Sequence, residues 1–315
     1  MTPGITDGRP ALRPGAALRP RRAPGRGGAR RPAARSAPAA APGPSLAWPR
    51  QLRWALNDVW VLTRRTLTRM ITTPEQLLNV TVQPLMFVLV FSYVFNGAIM
   101  LPGRGDYREY LVAGIFAINM GGTAQGTAIG LAVDLSTGLI DRFRSLPMSR
   151  ASVLAGRTLA DLVMTLIATA VTAASGLIVG WRIHTGIGAA LLALGLALLF
   201  ACAAGWAGAC VGMLARGAEA AQAVGLMVLL PLSLTSSAFV STARMTPWLR
   251  HIADWNPVSV LAAACRQLLG NPDPAGATPS WPMQHPELAS ASWSLTLIAT
   301  LAPLAVRLYT RRGQR

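Results

Sequence analysis

Long apolar runs, separated by short polar connectors, make up most of the chain after residue 49. Six of these runs reach about twenty residues, the length that an α-helix needs to cross the hydrocarbon core of a bilayer. We number them as spans 1 to 6, over about 77–97, 110–133, 153–180, 187–213, 221–241 and 289–309. The pattern predicts an all-α polytopic membrane protein with six transmembrane helices, whose transmembrane domain covers residues 73–315.

A helix that does not cross the membrane is predicted ahead of span 1, over residues 50–72. Its apolar face, at helical spacing, is formed by Leu56, Trp60, Thr63, Leu67 and Met70. The charged residues Asp58, Arg65 and Arg69 lie away from that face. An amphipathic stretch with tryptophan and arginine is typical of a helix lying in the membrane interface. A plain soluble helix is the alternative.

The connector between spans 5 and 6, residues 242–288, predicts two short helices. Thr246-Pro247-Trp248 has the composition of a helix start, and this helix should end near Trp255. Asn256-Pro257 then begins an apolar run over 258–269, which is too short to cross a bilayer. We therefore expect re-entrant or interfacial helices here, on the extracytoplasmic side.

The first 49 residues are dominated by proline, arginine, alanine and glycine, with nine arginines and a single acid, Asp7. Such a composition buries too little apolar surface to fold, so we expect a disordered cytoplasmic tail.

Arginine supplies all 29 basic residues of the chain and gives it a net charge of +17. After residue 49, fourteen arginines fall in the segments predicted to lie inside the cell and six in the outer connectors. This bias predicts a multi-pass protein of the bacterial plasma membrane with both termini in the cytoplasm. Anionic membrane lipid explains the positive charge more simply than nucleic acid does.

Several kinds of chemistry are disfavoured by the residues present. A phosphate-binding P-loop needs a lysine, and the chain has none, so any ATP must be hydrolysed by another subunit. Cys202, Cys210 and Cys265 are isolated in apolar sequence and predict neither a metal site nor a disulfide framework. No nucleophile elbow or paired-histidine zinc motif occurs, which argues against an enzyme. We therefore expect no cofactor on this chain.

Uncharged polar residues within the spans are candidates for a substrate path: Gln83, Asn119, Gln125 and Thr235. Polar groups at membrane depth line such paths or bond across to a neighbouring helix, and both interpretations stay open. No carboxylate is predicted near the centre of a span, which disfavours an ion-coupled secondary transporter. Arg157 and Asp161, four residues apart at the cytoplasmic end of span 3, should form an ion pair on one helix face.

Glycines recur at close spacing in two spans. Span 2 carries Gly122, Gly126 and Gly130, and span 4 carries Gly205, Gly208 and Gly212. Small residues at this spacing let helices approach closely. For span 2 we favour packing within the chain over a dimer or substrate-path face, and for span 4 we expect a close-packing face.

The polar connector between spans 2 and 3 carries Asp141, Arg142, Arg144, Pro147 and Arg150. A short helix over about 137–145 should end before Pro147, because the residue before proline is pushed out of helical geometry. Composition alone favours an ordinary cytoplasmic loop whose arginines fix the topology.

Two motifs resemble the membrane subunit of ABC-2 type exporters, particularly the daunorubicin-resistance B branch. The more specific one is Gly138-Leu-Ile-Asp-Arg-Phe-Arg-Ser-Leu-Pro147, continuing through Arg150 to Gly156-Arg157. The second is Ser236-Ser-Ala-Phe-Val, followed by Pro247-Trp-Leu-Arg, Asn256-Pro257 and Arg266. The similarity covers about residues 50–310.

The resemblance implies an exporter permease that moves a hydrophobic or amphipathic compound, driven by a separate ATPase subunit that binds ATP and Mg²⁺. A lipid-linked polysaccharide is the alternative cargo. It assigns contact with the ATPase to Asp141, Arg142, Arg144, Pro147 and Arg150. It assigns an extracytoplasmic gate to Pro247, Trp248, Asn256, Pro257 and Arg266. The implied assembly contains two permease chains, as a homodimer, and two ATPase chains.

Overall fold

A computed structural model describes residues 48–95, 106–137, 150–273 and 280–312. Within these residues the chain is helical, with no strand. The helices are α1 (Trp48–Thr72), α2 (Pro74–Val94), α3 (Tyr107–Ser136), α4 (Arg150–Val179), α5 (Ile187–Leu214), α6 (Ala218–Leu234), α7 (Pro247–Trp255), α8 (Pro257–Leu269), α9 (Trp281–Gln284) and α10 (Pro286–Arg312), with a 3₁₀ turn at Thr242–Arg244. Of the predicted tail, residues 1–49, the part before Trp48 lies outside the described residues, and residues 48 and 49 begin α1. The predicted helix at 137–145 also lies outside them, except for Thr137, which follows α3.

Helix boundaries follow local signals in the sequence. Proline occupies the first turn of α2, α7 and α8, where its missing N–H costs no helical hydrogen bond. The Asp106 side chain caps α3 by accepting a bond from the Arg108 backbone N–H at 3.0 Å. Gly270 ends α8 in the left-handed region, with φ of 72°. The two short helices predicted between spans 5 and 6 are confirmed as helices, while their re-entrant position in the membrane stays a prediction.

Four of the described helices are long and apolar enough to cross a membrane, over Leu77–Val94, Leu154–Val179, Ile187–Leu214 and Pro286–Arg311. They correspond to predicted spans 1, 3, 4 and 6. Helix α3, with 30 residues, occupies span 2 but is not among these four, and it contains the polar residues Asn119 and Gln125. Helix α6, with 17 residues, is at the short limit for a crossing. That spans 2 and 5 cross the membrane therefore stays a prediction.

Span 5 ends earlier than predicted. Helix α6 stops at Leu234 instead of continuing to residue 241. The Leu232 carbonyl accepts a 2.7 Å bond from the Asn256 side chain, and the Ser236 N–H turns back to Ser233. The helical bond from the Ser236 N–H to the Leu232 carbonyl is therefore replaced, because the Asn256 side chain occupies that carbonyl.

Helix α3 lies at the centre of the packing and contacts α2, α4, α5, α6 and α8. Its closest neighbour is α5, where Gly208 and Gly212 lie against the backbone of α3. A Cβ atom at Gly208 would collide with the Ala124 carbonyl oxygen. The predicted close-packing face of span 4 is therefore confirmed.

Two of the three glycines of span 2 differ from the prediction of packing within the chain. A Cβ atom at Gly122 or Gly126 would meet no atom of the described residues within 4 Å. At Gly130 it would collide with the guanidinium group of Arg157. The prediction is therefore wrong for Gly122 and Gly126 and correct for Gly130, which packs against the Arg157 side chain of α4.

Helix α1 packs mainly along α4. Thr63 and Met70 of the predicted apolar face are buried, and so is Leu62, whereas Trp60 is 63% exposed. The predicted face is therefore correct in part. Its location in a membrane interface stays a prediction.

Candidate functional site

Two polar clusters lie near opposite ends of α3. The first joins Arg69, Thr127, Asp134, Arg157 and Asp161, and we call it the Asp134 network. The second surrounds Arg266 at the beginning of α3, and we call it the Arg266 cluster. Because Tyr110 and Asp134 are 24 residues apart in one helix, the clusters are separated by about 36 Å along its axis.

The Asp134 network connects three helices through charged groups. Arg157 of α4 donates from Nη1 to Asp134 Oδ2 of α3 at 3.2 Å and from Nε to Asp161 Oδ2 at 3.3 Å. Arg69 of α1 donates to Asp134 Oδ1 at 3.1 Å. Thr127 of α3 donates its hydroxyl to Asp161 Oδ2 at 2.6 Å. Asp134 and Arg157 are thus each shared between two partners.

Burial and charge balance distinguish this network from a surface ion pair. The side chains of Asp161, Arg157 and Asp134 are 6%, 12% and 16% exposed, while Arg69 reaches the surface. Two arginines face two aspartates, so the formal charges cancel. Charged groups with so little water contact are stable only when paired and hydrogen-bonded, and every charge here has such a partner.

Two glycines provide the space for the network. Gly130 of α3 leaves the volume that the Arg157 guanidinium occupies. Gly156 of α4 allows α1 to approach, because a Cβ atom there would lie 2.9 Å from Leu62 Cβ. The Thr63 hydroxyl uses this approach to donate to the Gly156 carbonyl at 3.1 Å. The Gly156-Arg157 pair of the sequence motif therefore joins α4 to both α1 and α3.

Two members of the network flank the connector between spans 2 and 3 in the sequence. Asp134 lies just before it and Arg157 just after it. The predicted ATPase-contact residues Asp141, Arg142, Arg144 and Pro147 lie outside the described residues. Arg150 begins α4, and its side chain is also outside the described part.

The sequence predicted the Arg157–Asp161 pair, which the structure confirms. It did not predict Asp134 or Arg69 as members. Asp134 is 23 residues from Arg157 and 65 from Arg69, so no helical spacing links them.

The Arg266 cluster is a fully buried arginine surrounded by carbonyl groups. Arg266 of α8 donates to the Tyr110 carbonyl at 3.1 Å and to the carbonyls of Ser237 and Ala238 at 2.9 and 3.3 Å. Its guanidinium carbon lies 3.5 Å from the centre of the Tyr110 ring. Asp273 accepts a longer contact of 3.5 Å. The Tyr110 hydroxyl in turn donates to the Ser237 carbonyl.

The other predicted gate residues have different surroundings. Asn256 is buried, caps α8 through the Val258 N–H at 2.9 Å, and donates to the Leu232 carbonyl. Pro257 begins α8, and Pro247 begins α7. Trp248 is exposed. The structure thus brings Asn256 and Arg266 against the end of α6, whereas Trp248 remains at the surface.

The predicted path residues are not brought together as a group. Gln83 is exposed on α2. Asn119 donates to Thr172 of α4 at 2.9 Å, which is the cross-helix bond that the sequence left open. Gln125 faces α6, where a Cβ at Gly225 would lie 3.1 Å from its Cγ. Thr235 accepts from Asn256 at 3.3 Å and so belongs with the gate residues.

A shallow aromatic groove of about 260 Å³ lies between α7, α9 and α10, with tryptophans 255, 281 and 293 among its lining residues. Within the described part of the chain, no group of three histidine, cysteine, aspartate or glutamate residues has the arrangement of a metal site.

Comparison with known proteins matches residues 57–269 to the family described as ABC-2 type transporter. The chain is 31% identical over 240 residues to the daunorubicin resistance ABC transporter permease protein DrrB1 of Streptomyces coeruleorubidus, covering 76% of this chain and 81% of the relative. It is 25% identical over 252 residues to a probable doxorubicin resistance ABC transporter permease protein DrrC of Mycobacterium tuberculosis, covering 78% of this chain and 85% of the relative. The matched family region includes both polar clusters except Asp273.

Proposed function

Since this chain belongs to the ABC-2 type transporter family, we propose that it is the membrane subunit of an ATP-driven exporter whose ATP and Mg²⁺ are bound by a separate ABC ATPase subunit. The observation that carries this proposal is the similarity to drug-resistance permeases over three-quarters of the chain. The four apolar helices long enough to span a membrane agree with a permease of the plasma membrane.

The proposed cargo is a hydrophobic or amphipathic drug-like compound, moved out of the cell. The relatives are named for resistance to daunorubicin and doxorubicin, which makes these two compounds the first to test. Asp161, the buried carboxylate of α4, is paired with Arg157 and Thr127. Asp161 therefore belongs to a charge-balanced network near the predicted cytoplasmic end of span 3 and not to the centre of a span, which favours ATP-driven transport over ion coupling.

The proposed assembly has two copies of this permease and two copies of the ATPase. Gly122 and Gly126 of α3, with open space beside them, leave room for a second copy or for cargo next to Asn119 and Gln125. The ATPase is proposed to contact residues 141–150, and the segment from Pro247 to Arg266 to form the extracytoplasmic gate. Arginine suits the contact because its planar group can make two hydrogen bonds to one carboxylate.

The proposal is tested by purifying the tagged protein from gently solubilised native membranes and identifying the co-purifying subunits by mass spectrometry. We expect an ABC ATPase in equal amount, and its loss with Arg144→Glu. Purified complex in proteoliposomes should accumulate daunorubicin only with hydrolysable ATP. A monodisperse protein without any ATPase would contradict the proposal. A normal amount of ATPase with Arg144→Glu would contradict the contact site alone.

A further inference from the structure

The Asp134 network lies at the two helix ends to which a movement of the proposed ATPase-contact segment would first be transmitted. That segment joins the end of α3 to the beginning of α4, and Arg157 bridges the two helices on either side of it. Arg69 attaches α1 to the same carboxylate of Asp134. Three helices therefore meet at one carboxylate next to the segment.

We propose that Arg157 is a positioning residue that makes the end of α3, the beginning of α4 and the end of α1 move as one body when the ATPase acts on the segment between them. This inference rests on the proposed function and extends it to residues that do not touch the ATPase or the cargo. It predicts that the network serves the coupling of ATP hydrolysis to transport as well as folding.

The shared bonds favour a role in coupling over a purely structural link between two helices. Arg157 uses two different nitrogen atoms to hold two carboxylates, one on α3 and one on its own helix. Asp161 is fixed in turn by Thr127 of α3. A rotation or slide of α4 against α3 must therefore break the Arg157–Asp134 ion pair and the Thr127–Asp161 hydrogen bond together, which favours movement as a unit.

The space around Arg157 supports the same conclusion. Gly130 lets the guanidinium group lie against α3, and Gly156, one residue earlier in α4, holds α1 through the Thr63 hydroxyl. Adjacent residues of α4 thus attach it to α3 and to α1. A displacement at the start of α4 is passed to both helices within one turn.

The test uses the permease–ATPase complex in lipid nanodiscs and proteoliposomes, with Arg157→Gln, Asp134→Asn and the double variant. Daunorubicin moved per ATP hydrolysed is the functional readout. We expect each single change to lower this ratio about 5- to 150-fold, the range typical of coupling between sites. The double variant should lose less than the sum of the two single losses, because both changes remove the same Arg157–Asp134 contact.

A distance measurement separates coupling from a general loss of stability. Cysteines replace the exposed residues Ser136 of α3 and Leu159 of α4, the native cysteines are removed, and spin labels report the distance by double electron–electron resonance. With the network intact, the distance should stay single and narrow with and without a trapped nucleotide. In Arg157→Gln it should broaden when nucleotide binds.

Arg64→Gln is the matched control, since Arg64 is an exposed arginine of α1 without an ion pair among the described residues. It should leave both readouts unchanged. An unchanged transport ratio in Arg157→Gln would overturn the inference, as would additive effects or a lower ratio with an unchanged distance. If Arg157→Gln does not assemble, Asp134→Asn, which keeps the Arg157–Asp161 pair, decides by the same criteria. A wild-type chain that binds no ATPase refutes the proposed function itself.

Discussion

Arg266 donates to the carbonyl oxygen of Tyr110 at 3.1 Å, and its guanidinium group lies over the ring of the same tyrosine. The two residues are 156 positions apart in the chain. Their contact fixes the beginning of α3 to α8 and, through Ser237 and Ala238, to the end of α6. In a buried site such as this one, an arginine satisfies carbonyl groups that no water can reach.

Removing Arg266 should destabilise the packing of α8 against the beginning of α3 and the end of α6. Arg266→Ala removes the guanidinium donor from the carbonyls of Tyr110, Ser237 and Ala238, of which Ser237 keeps its bond from the Tyr110 hydroxyl. Each buried polar group left unsatisfied costs about 1–3 kcal/mol. We expect a loss of several kcal/mol (about 3–5) in the free energy of unfolding, seen as a lower melting temperature in detergent. Arg250→Ala, which removes bonds to two carbonyls at a less buried site, should cost less. An equal loss of unfolding free energy in both variants would contradict the claim that the burial of Arg266 makes its bonds more stabilising.

The contact between α3 and α5 should be sensitive to a single added methyl group. Gly208→Ala places a Cβ against the Ala124 carbonyl, and overpacking of this kind costs about 1–3 kcal/mol. Gly195→Ala, on the same helix, meets no described atom within 4 Å and should be neutral or slightly stabilising. Thermal unfolding of the two purified variants in the same detergent makes the comparison. A Gly208→Ala protein as stable as the wild type would mean that α3 and α5 separate without cost.

Local sequence signals predicted the helices well because their causes are local. Thr246-Pro247 and Asn256-Pro257 mark helix starts by the geometry of proline, and the structure confirms α7 and α8 there. The Arg157–Asp161 pair was predictable because four residues make one helical turn.

Contacts between segments far apart in the chain could not be predicted from the sequence. Nothing in the spacing connects Arg69 with Asp134, because their contact depends on how α1 lies along α4. The early end of α6 depends on Asn256, which is 24 residues from Leu232. The glycines of span 2 show the same limit, since equal spacing does not reveal which neighbour, if any, each glycine faces.

The buried thiol of Cys265 should be inert in the folded protein. Burial raises the pKa of Cys265 to about 12, and the nearby Arg266 lowers it only in part. Because the thiolate is the reactive form, only a very small fraction of this thiol is reactive at pH 8, against roughly a quarter for an ordinary cysteine. Reactivity should therefore rise only when pH approaches 12 or the chain unfolds. Maleimide labelling followed by peptide mass spectrometry should detect Cys265 only after denaturation, and rapid labelling of the native protein would contradict its burial.

The open face of α3 provides a test of the proposed assembly that does not depend on folding. Gly126→Leu adds a side chain whose Cβ meets no described atom within 4 Å, so the variant should insert and remain as stable as the wild type. If this face contacts a second copy or the cargo, daunorubicin transport should fall at least about tenfold, a loss of about 1.4 kcal/mol in the transport step. Gly195→Leu makes the same change at another open glycine, on α5, and should transport normally.

Cross-linking of the permease before and after the Gly126 change then distinguishes the two roles, because a lost dimer identifies a copy–copy contact and a retained dimer identifies the cargo path. Normal transport by the Gly126 variant would show that this face serves neither as a copy–copy contact nor as the cargo path.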